Sequence, residues 1–308
     1  MLTRVDIHRR SLRSRWLSWF LRRRFKPILM NPDFDPLRFR RALDRDLGSR
    51  PPAADVSVDV ETGAPVAGEW NIPHQLKSSR IIIYSHGGGY LFGSPLTHRS
   101  FTTRLASATG MKVFVPDYRL APEHLFPAAA EDMLATYQWL LQQMDSSNIV
   151  LVGDSAGGGL SLALLAQIKQ HGLPMPACAV LMSPYADLSC SGASLDENSA
   201  TCAMFTGDVI RRAAQAYLGG ADSADPRASP LYADLSRLPP LAIYVSDNEV
   251  LRDDGLRVAE KAAAAGVPVR LYVRSGQPHV WPLFAPYVPE ASEALADMAE
   301  FIHKTSTR

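Results

Sequence analysis

Short apolar runs along the chain alternate with longer stretches in which apolar residues recur at helical spacing. The runs Val56–Val60, Arg80–Ser85, Lys112–Pro116, Asn148–Gly153, Ala177–Ser183, Pro240–Ser246 and Pro268–Val273 read as strands. Several are unbroken Ile/Val/Leu segments, the pattern of central parallel strands covered on both faces. Between them, Thr97–Ala108, Ala128–Met144, Ala156–His171, Leu256–Ala265 and Pro289–His303 read as helices. This alternation predicts an α/β protein with a mostly parallel, doubly wound sheet and right-handed crossovers. No internal repeat or low-complexity linker interrupts it.

Two stretches depart from the pattern: residues 1–50, closed off by Pro51-Pro52, and residues 185–229, with Asp225-Pro226 near their end. Both are expected to lie over the C-terminal edge of the sheet, where ligands bind in open α/β folds. The chain then divides into a first covering piece (1–50), core (51–184), a second covering piece (185–229) and core again (230–308). Within the first piece, Trp16, Leu17, Trp19, Phe20 and Leu21 lie between Arg15 and Arg22, which predicts an amphipathic helix. We expect it to pack on the body of the protein, in preference to resting on an anionic membrane surface. The interrupting arginines, and the lack of a small-residue cleavage site, argue against a twin-arginine signal at Arg9-Arg10.

Composition narrows the classes. A chain of 308 residues can bury one large α/β core or two smaller ones. With 46% hydrophobic and 20% charged residues it is not a disordered protein. A net charge of +1 gives no overall pull toward nucleic acid, although arginines crowd the first 41 residues. Cys178, Cys190 and Cys202 are odd in number and far apart, which argues against a disulfide framework or a cysteine metal site. A reducing, cytoplasmic setting fits them. No apolar run approaches the roughly 20 residues needed to cross a bilayer.

The candidate chemistry begins at Gly153-Asp154-Ser155-Ala156-Gly157. Chance supplies such a G-x-S-x-G match in about one chain of this length in ten. Its setting between the strand Ile149–Val152 and a helical run raises its weight. A reversal there lifts the Ser155 hydroxyl clear of the sheet, and the helix N-terminus favours negative charge developing beside it. His86-Gly87-Gly88-Gly89 follows another strand. The N–H groups of Gly87 and Gly88, with that of Ala156, are candidates to hold an oxyanion. A phosphate cradle would need a following Lys-Ser/Thr, which is missing. His279 lies beyond the last strand, placed to take a proton from Ser155. Asp247, Glu249, Asp253 and Asp254, after the strand Leu241–Val245, are candidates to orient the imidazole, and position alone does not choose among them.

These pieces resemble the hormone-sensitive-lipase family of bacterial esterases (family IV), which has the α/β-hydrolase fold with a helical cap. The matching stretches are His86–Gly89 with Tyr90 and Gly93, Asp117–Glu123, Phe126–Ala129, Gly153–Gly158, Ser183-Pro184, Leu238–Pro240 and the His279 loop. They run in order from about residue 80 to residue 285. The family's Asp-x-Leu-x-Asp-x-Gly stretch corresponds to Glu249–Gly255, so the resemblance implies Glu249 as the acid, a departure from the commoner aspartate. Asp247 is the runner-up, and Asp253 is expected to make a structural contact. The resemblance further implies ester hydrolysis through an acyl-enzyme on Ser155, short- to medium-chain acyl esters as small-molecule substrates, and no metal or organic cofactor. It also implies that the N-terminal arm belongs to the cap, which favours packing over membrane attachment for the Trp16–Leu21 helix. An amidase or specialised deacetylase would use the same machinery. A non-catalytic ligand-binding relative would typically have lost the histidine. Monomer and homodimer both remain open. Arg119, Glu123 and Asp132 are expected to form an ion-pair network holding the glycine loop, and His86 to brace it. Asp154 has no assigned role. Tyr185, Met204, Phe205, Trp281 and Phe284 are expected to line the mouth of the site.

Overall fold

The computed structural model describes residues 1–305. Among the described residues nine strands make one sheet: β1 (Leu2–Ile7), β2 (Val56–Glu61), β3 (Gly68–Pro73), β4 (Ile81–Ser85), β5 (Lys112–Pro116), β6 (Ile149–Asp154), β7 (Cys178–Met182), β8 (Leu241–Ser246) and β9 (Val269–Arg274). Their spatial order is β1-β9-β8-β7-β6-β4-β5-β3-β2. β3 runs antiparallel to both β2 and β5, and every other pairing is parallel. This is the mostly parallel, doubly wound sheet that the alternation predicts.

Ten α-helices accompany it among the described residues: α1 (Leu12–Arg24), α2 (Lys26–Met30), α3 (Pro36–Gly48), α4 (Pro95–Thr109), α5 (Ala128–Leu141), α6 (Ala156–Gln170), α7 (Ser194–Glu197), α8 (Gly207–Leu218), α9 (Arg252–Ala264) and α10 (Pro289–Lys304). The period-2 alternation of strand side chains sorts the core into two layers. Ile81, Ile83, Leu151, Leu181 and Ile243 face one way, in one apolar cluster with Met133 of α5, Leu160 of α6 and Val258 of α9. Ile82, Tyr84, Val150, Val152 and Val180 face the other way, with Phe101 of α4 and Met298 and Phe301 of α10. All five strand residues in each set are fully or almost fully buried. Truncating one of them, as in Leu151→Ala, costs about 2–5 kcal/mol. α4 starts with a reciprocal capping box between Ser94 and Thr97 and stops at Gly110, whose φ is 63°.

Two strands escape the sequence pattern. β3 carries polar residues in buried places: Glu69 pairs with Arg99, and Asn71 is fully buried. β1 is an exposed edge strand of mixed polarity, and it lies within residues 1–50, the expected covering piece. Residues 2–7 instead extend the core sheet along β9, with Leu2 opposite Val269 and Ile7 opposite Arg274.

The helices that follow do meet the second covering piece. Arg22 donates to Thr201 O, and Lys26 donates to Ser199 O and Cys202 O. Arg212 of α8 donates to Leu29 O and Asn31 O. α1, however, packs with an unexpected face. Its buried residues are Ser14, Ser18 and Leu21, while Trp16 and Trp19 are 62% and 56% exposed and Phe20 is 40% exposed. Polar bonds explain the inversion: Ser14 donates to Gln277 Oε1 at 2.6 Å, and Ser18 accepts from Arg10 at 2.7 Å. No helix among the described residues is long and apolar enough to cross a membrane.

Candidate active site

Ser155 stands at the turn from β6 into α6 with φ 53° and ψ −121°, a left-handed conformation that a serine adopts only when its surroundings impose it. Backbone bonds impose it here. Its N–H donates to Met182 O at the end of β7, and its carbonyl accepts from the N–H groups of Tyr185 and Gly159. The following turn passes so close to β4 that a Cβ at Gly157 would collide with the Ser85 carbonyl oxygen. The side chain of Ser155 emerges at the C-terminal edge of the sheet and stays 9% exposed.

The other two candidates come from neighbouring strand ends. Glu249 follows β8, His279 follows β9, and β9-β8-β7-β6 are consecutive in the sheet. His279 Nδ1 lies 2.6 Å from Glu249 Oε2, and both side chains are buried. Glu249 Oε1 accepts the Ser246 N–H at 2.8 Å, which fixes the carboxylate plane. His279 Nε2 is buried and has no hydrogen-bond partner among the described residues. Val280 has φ 51°, and its N–H donates to Ser183 Oγ, which holds the histidine loop over the end of β7.

The remaining carboxylates of this segment are engaged elsewhere. Asp247 accepts from the Gly276 N–H, and Asp253 accepts from the Ser194 N–H while pairing with Arg252. Asp254 accepts the N–H groups of both Ala186 and Asp187, and burial pushes its carboxyl up to about 8.

The glycine loop departs from expectation at one residue. The Gly87 N–H donates to Asp154 Oδ1 at 3.0 Å, so it is turned into the protein and withdrawn from any oxyanion. The N–H groups of Gly88 and Gly89 have no acceptor among the described residues, and neither does that of Ala156 in the first turn of α6. Gly88 has φ 123°, and a Cβ there would run into Phe92 O. Gly89 stands in the same glycine run and was not among the donors expected from the sequence.

Asp154 organises this loop. Its Oδ1 also accepts from Tyr84 Oη at 2.7 Å and lies 3.5 Å from His98 Nε2. Burial opposes its ionisation, but the charge and hydrogen bond of His98 and the bond from Tyr84 hold its carboxyl below the usual range. His86 braces the turn from the other side. It stacks on Tyr118 at 4.2 Å, its Nδ1 lies 2.9 Å from Gly87 O, and Tyr118 Oη donates to its carbonyl. Burial, with the charge of His98, pushes its imidazole down to about 3.

The expected network of Arg119, Glu123 and Asp132 is split in two. Arg119 forks onto Asp132, bonding Oδ1 through Nε and Nη2 and Oδ2 through its backbone N–H. Glu123 pairs instead with Arg40 of α3 at 2.7 Å. Arg40 also donates to Leu91 O at 2.6 Å and to Ala121 O, tying the N-terminal arm to the glycine loop. Among the residues expected at the mouth, Phe205 meets the His279 ring edge-on at 4.8 Å. Trp281 does not line it: the left-handed Val280 turns the chain, and Trp281 packs against Tyr244 in the core layer of α4 and α10. Phe284 likewise sits with Leu17, Val288 and Ala291.

Residues 82–283 match a family described as having the alpha/beta hydrolase fold. The chain is 40% identical over 250 residues to an acetyl-hydrolase of Streptomyces hygroscopicus, covering 81% of this chain and 83% of that one. It is 37% identical over 291 residues to an esterase of Acinetobacter venetianus, covering 93% and 96%. A crystal structure of an esterase from the bacterial hormone-sensitive lipase family superposes with a TM-score of 0.90 at 38% identity, covering 97% of this chain and 99% of that one. The fold, the ordered motifs and these relatives agree that the chain is a carboxylesterase belonging to the hormone-sensitive-lipase family of α/β-hydrolases.

Proposed function

We propose that Ser155, His279 and Glu249 are the catalytic triad, and that the enzyme cleaves short- to medium-chain acyl esters by two acyl transfers. The reading rests on one observation: His279 is fixed through Nδ1 on Glu249, while its buried Nε2 is left free at the sheet edge that carries Ser155. Nε2 takes the Ser155 proton as Oγ attacks the ester carbonyl and then returns it to the leaving alcohol. Water, deprotonated by the same nitrogen, releases the acid. Glu249 holds the tautomer and stabilises the imidazolium. The N–H groups of Gly88, Gly89 and Ala156 receive the oxyanion, each worth about 3 kcal/mol to the transition state. Segments 8–50 and 185–229, bonded to each other, act as a cap. The acetyl-hydrolase relative fits a preference for small acyl groups.

The test is hydrolysis of a p-nitrophenyl ester series of increasing acyl length. Ser155→Ala abolishes turnover without unfolding the protein. Glu249→Gln keeps the shape but loses kcat by about 10³–10⁴-fold, and Asp247→Asn loses far less. Retained activity in Ser155→Ala, or the reverse order of the two acid variants, overturns the assignment.

A further inference from the structure

α1 buries Leu21 with Ser14 and Ser18 and turns its aromatic face outward, and that outer face has a definite chemistry. At 100° per residue, Leu12, Trp16, Trp19 and Arg23 form one stripe with Phe20 beside it. Arg15 and Arg22 flank the stripe on one side, and Arg13 and Arg24 on the other. Trp16 and Phe20 stack at 5.5 Å, presenting a continuous aromatic ridge to solvent. Ile28 and Met30 of α2 extend the exposed apolar surface. Residues 8–32 contain no Asp or Glu, and Arg13, Arg15, Arg23 and Arg24 form no ion pair among the described residues.

We propose that this face of α1 docks the enzyme on an anionic lipid surface. Indole and phenyl rings seat at the boundary of headgroup and acyl chain, while flanking arginines bond phosphates. The same charge argues against a second copy of this chain as the occupant, because an isologous contact would set arginines against arginines. The inner face of the helix ties the docked surface to the site. Ser14 bonds Gln277, two residues before His279, and Gln277 O accepts from Ser246 Oγ beside Glu249. A surface seated on α1 therefore lies about one helix diameter, 10–12 Å, from the histidine loop. Esters with a short acyl group and an apolar alcohol, concentrated at such a surface, are the substrates this arrangement suits. The substrate statement rests on the proposed esterase site; docking itself does not.

Flotation of the full chain with vesicles tests it, comparing phosphatidylcholine alone with phosphatidylcholine containing phosphatidylglycerol. The wild type binds the anionic vesicles, and added salt weakens binding. Trp16→Ser, Trp19→Ser and Phe20→Ser together reduce partitioning by at least about tenfold. Replacing Arg13, Arg15, Arg23 and Arg24 by Gln costs about fivefold per arginine. Both variants keep wild-type turnover of a soluble short ester, which separates failure of docking from failure of the catalytic reading. Absence of wild-type binding at low salt overturns the proposal, as does unchanged binding of the aromatic variant. Self-association abolished by the aromatic variant, without vesicle binding, assigns the face to a second copy and overturns it too.

Discussion

Asp154 accepts the backbone N–H of Gly87, so the residue before Ser155 fixes the glycine loop expected to hold an oxyanion. One carboxylate oxygen thereby joins β6 to the glycine turn, with Tyr84 and His98 completing its shell. Ser155 and the glycine loop thereby share a single reference point.

Asp154→Ala consequently leaves the Gly87 N–H and the Tyr84 hydroxyl buried without acceptors, costing about 1–3 kcal/mol each. The loosened loop should lower kcat on the order of a hundredfold, whereas Asp154→Asn, which still offers an oxygen, should lose much less. Steady-state kinetics and thermal melts of the two variants check this. Equal activity of Asp154→Ala and wild type would sink it.

Arg40 gives the arm its hold on the same loop. Arg40→Ala strips donors from Leu91 O and Ala121 O and unpairs Glu123, so stability should drop by about 1–3 kcal/mol and kcat should fall with it. Arg40→Lys should recover only part, because a single ammonium cannot reproduce the fork. Chemical denaturation alongside turnover measures both, and a silent Arg40→Ala would show that the arm needs no such tie.

Asp254 predicts a pH dependence of stability. Its folded-state carboxyl is raised to about 8 by burial, above its ordinary value of 3.8. Across that window the folded chain holds a proton that the unfolded chain has released. Its contribution is thus complete below the ordinary value and lost as pH climbs to about 8, by up to about 1.4 kcal/mol per pH unit. Asp254→Asn should remove the slope and make the protein relatively more stable in alkali. Urea midpoints for both proteins below and above pH 8 decide it; parallel curves would refute the assignment.

Much of this was legible in the residues. The strands β4 to β9 are read directly from their apolar runs, and so is the placement of Ser155 and His279 just beyond strands. β1 and β3 were hidden because an edge strand needs no apolar face and because a buried polar strand, with Glu69 on Arg99, imitates a loop. The motif at His86–Gly89 reveals which residues lack side chains but not where each N–H points, so the turn of the Gly87 N–H onto Asp154 was not legible. Neighbours of His279 in sequence are not its neighbours in space, since one left-handed residue, Val280, sends Trp281 to the opposite layer. For α1 the alternation of apolar and charged positions shows that two faces exist. Which face turns inward is settled partly by the bond of Ser14 to Gln277, more than 260 residues away, which no local pattern contains.

The pairing of β1 with β9 joins residues 2–7 to residues 269–274. A ribosome delivers the first of these long before the second, so that edge of the sheet cannot close until residues 269–274 have emerged. Contacts so remote in sequence form slowly. Until then the arginine- and tryptophan-rich arm follows a strand that has no partner, and unpaired strand edges of this kind are exposed to aggregation during folding.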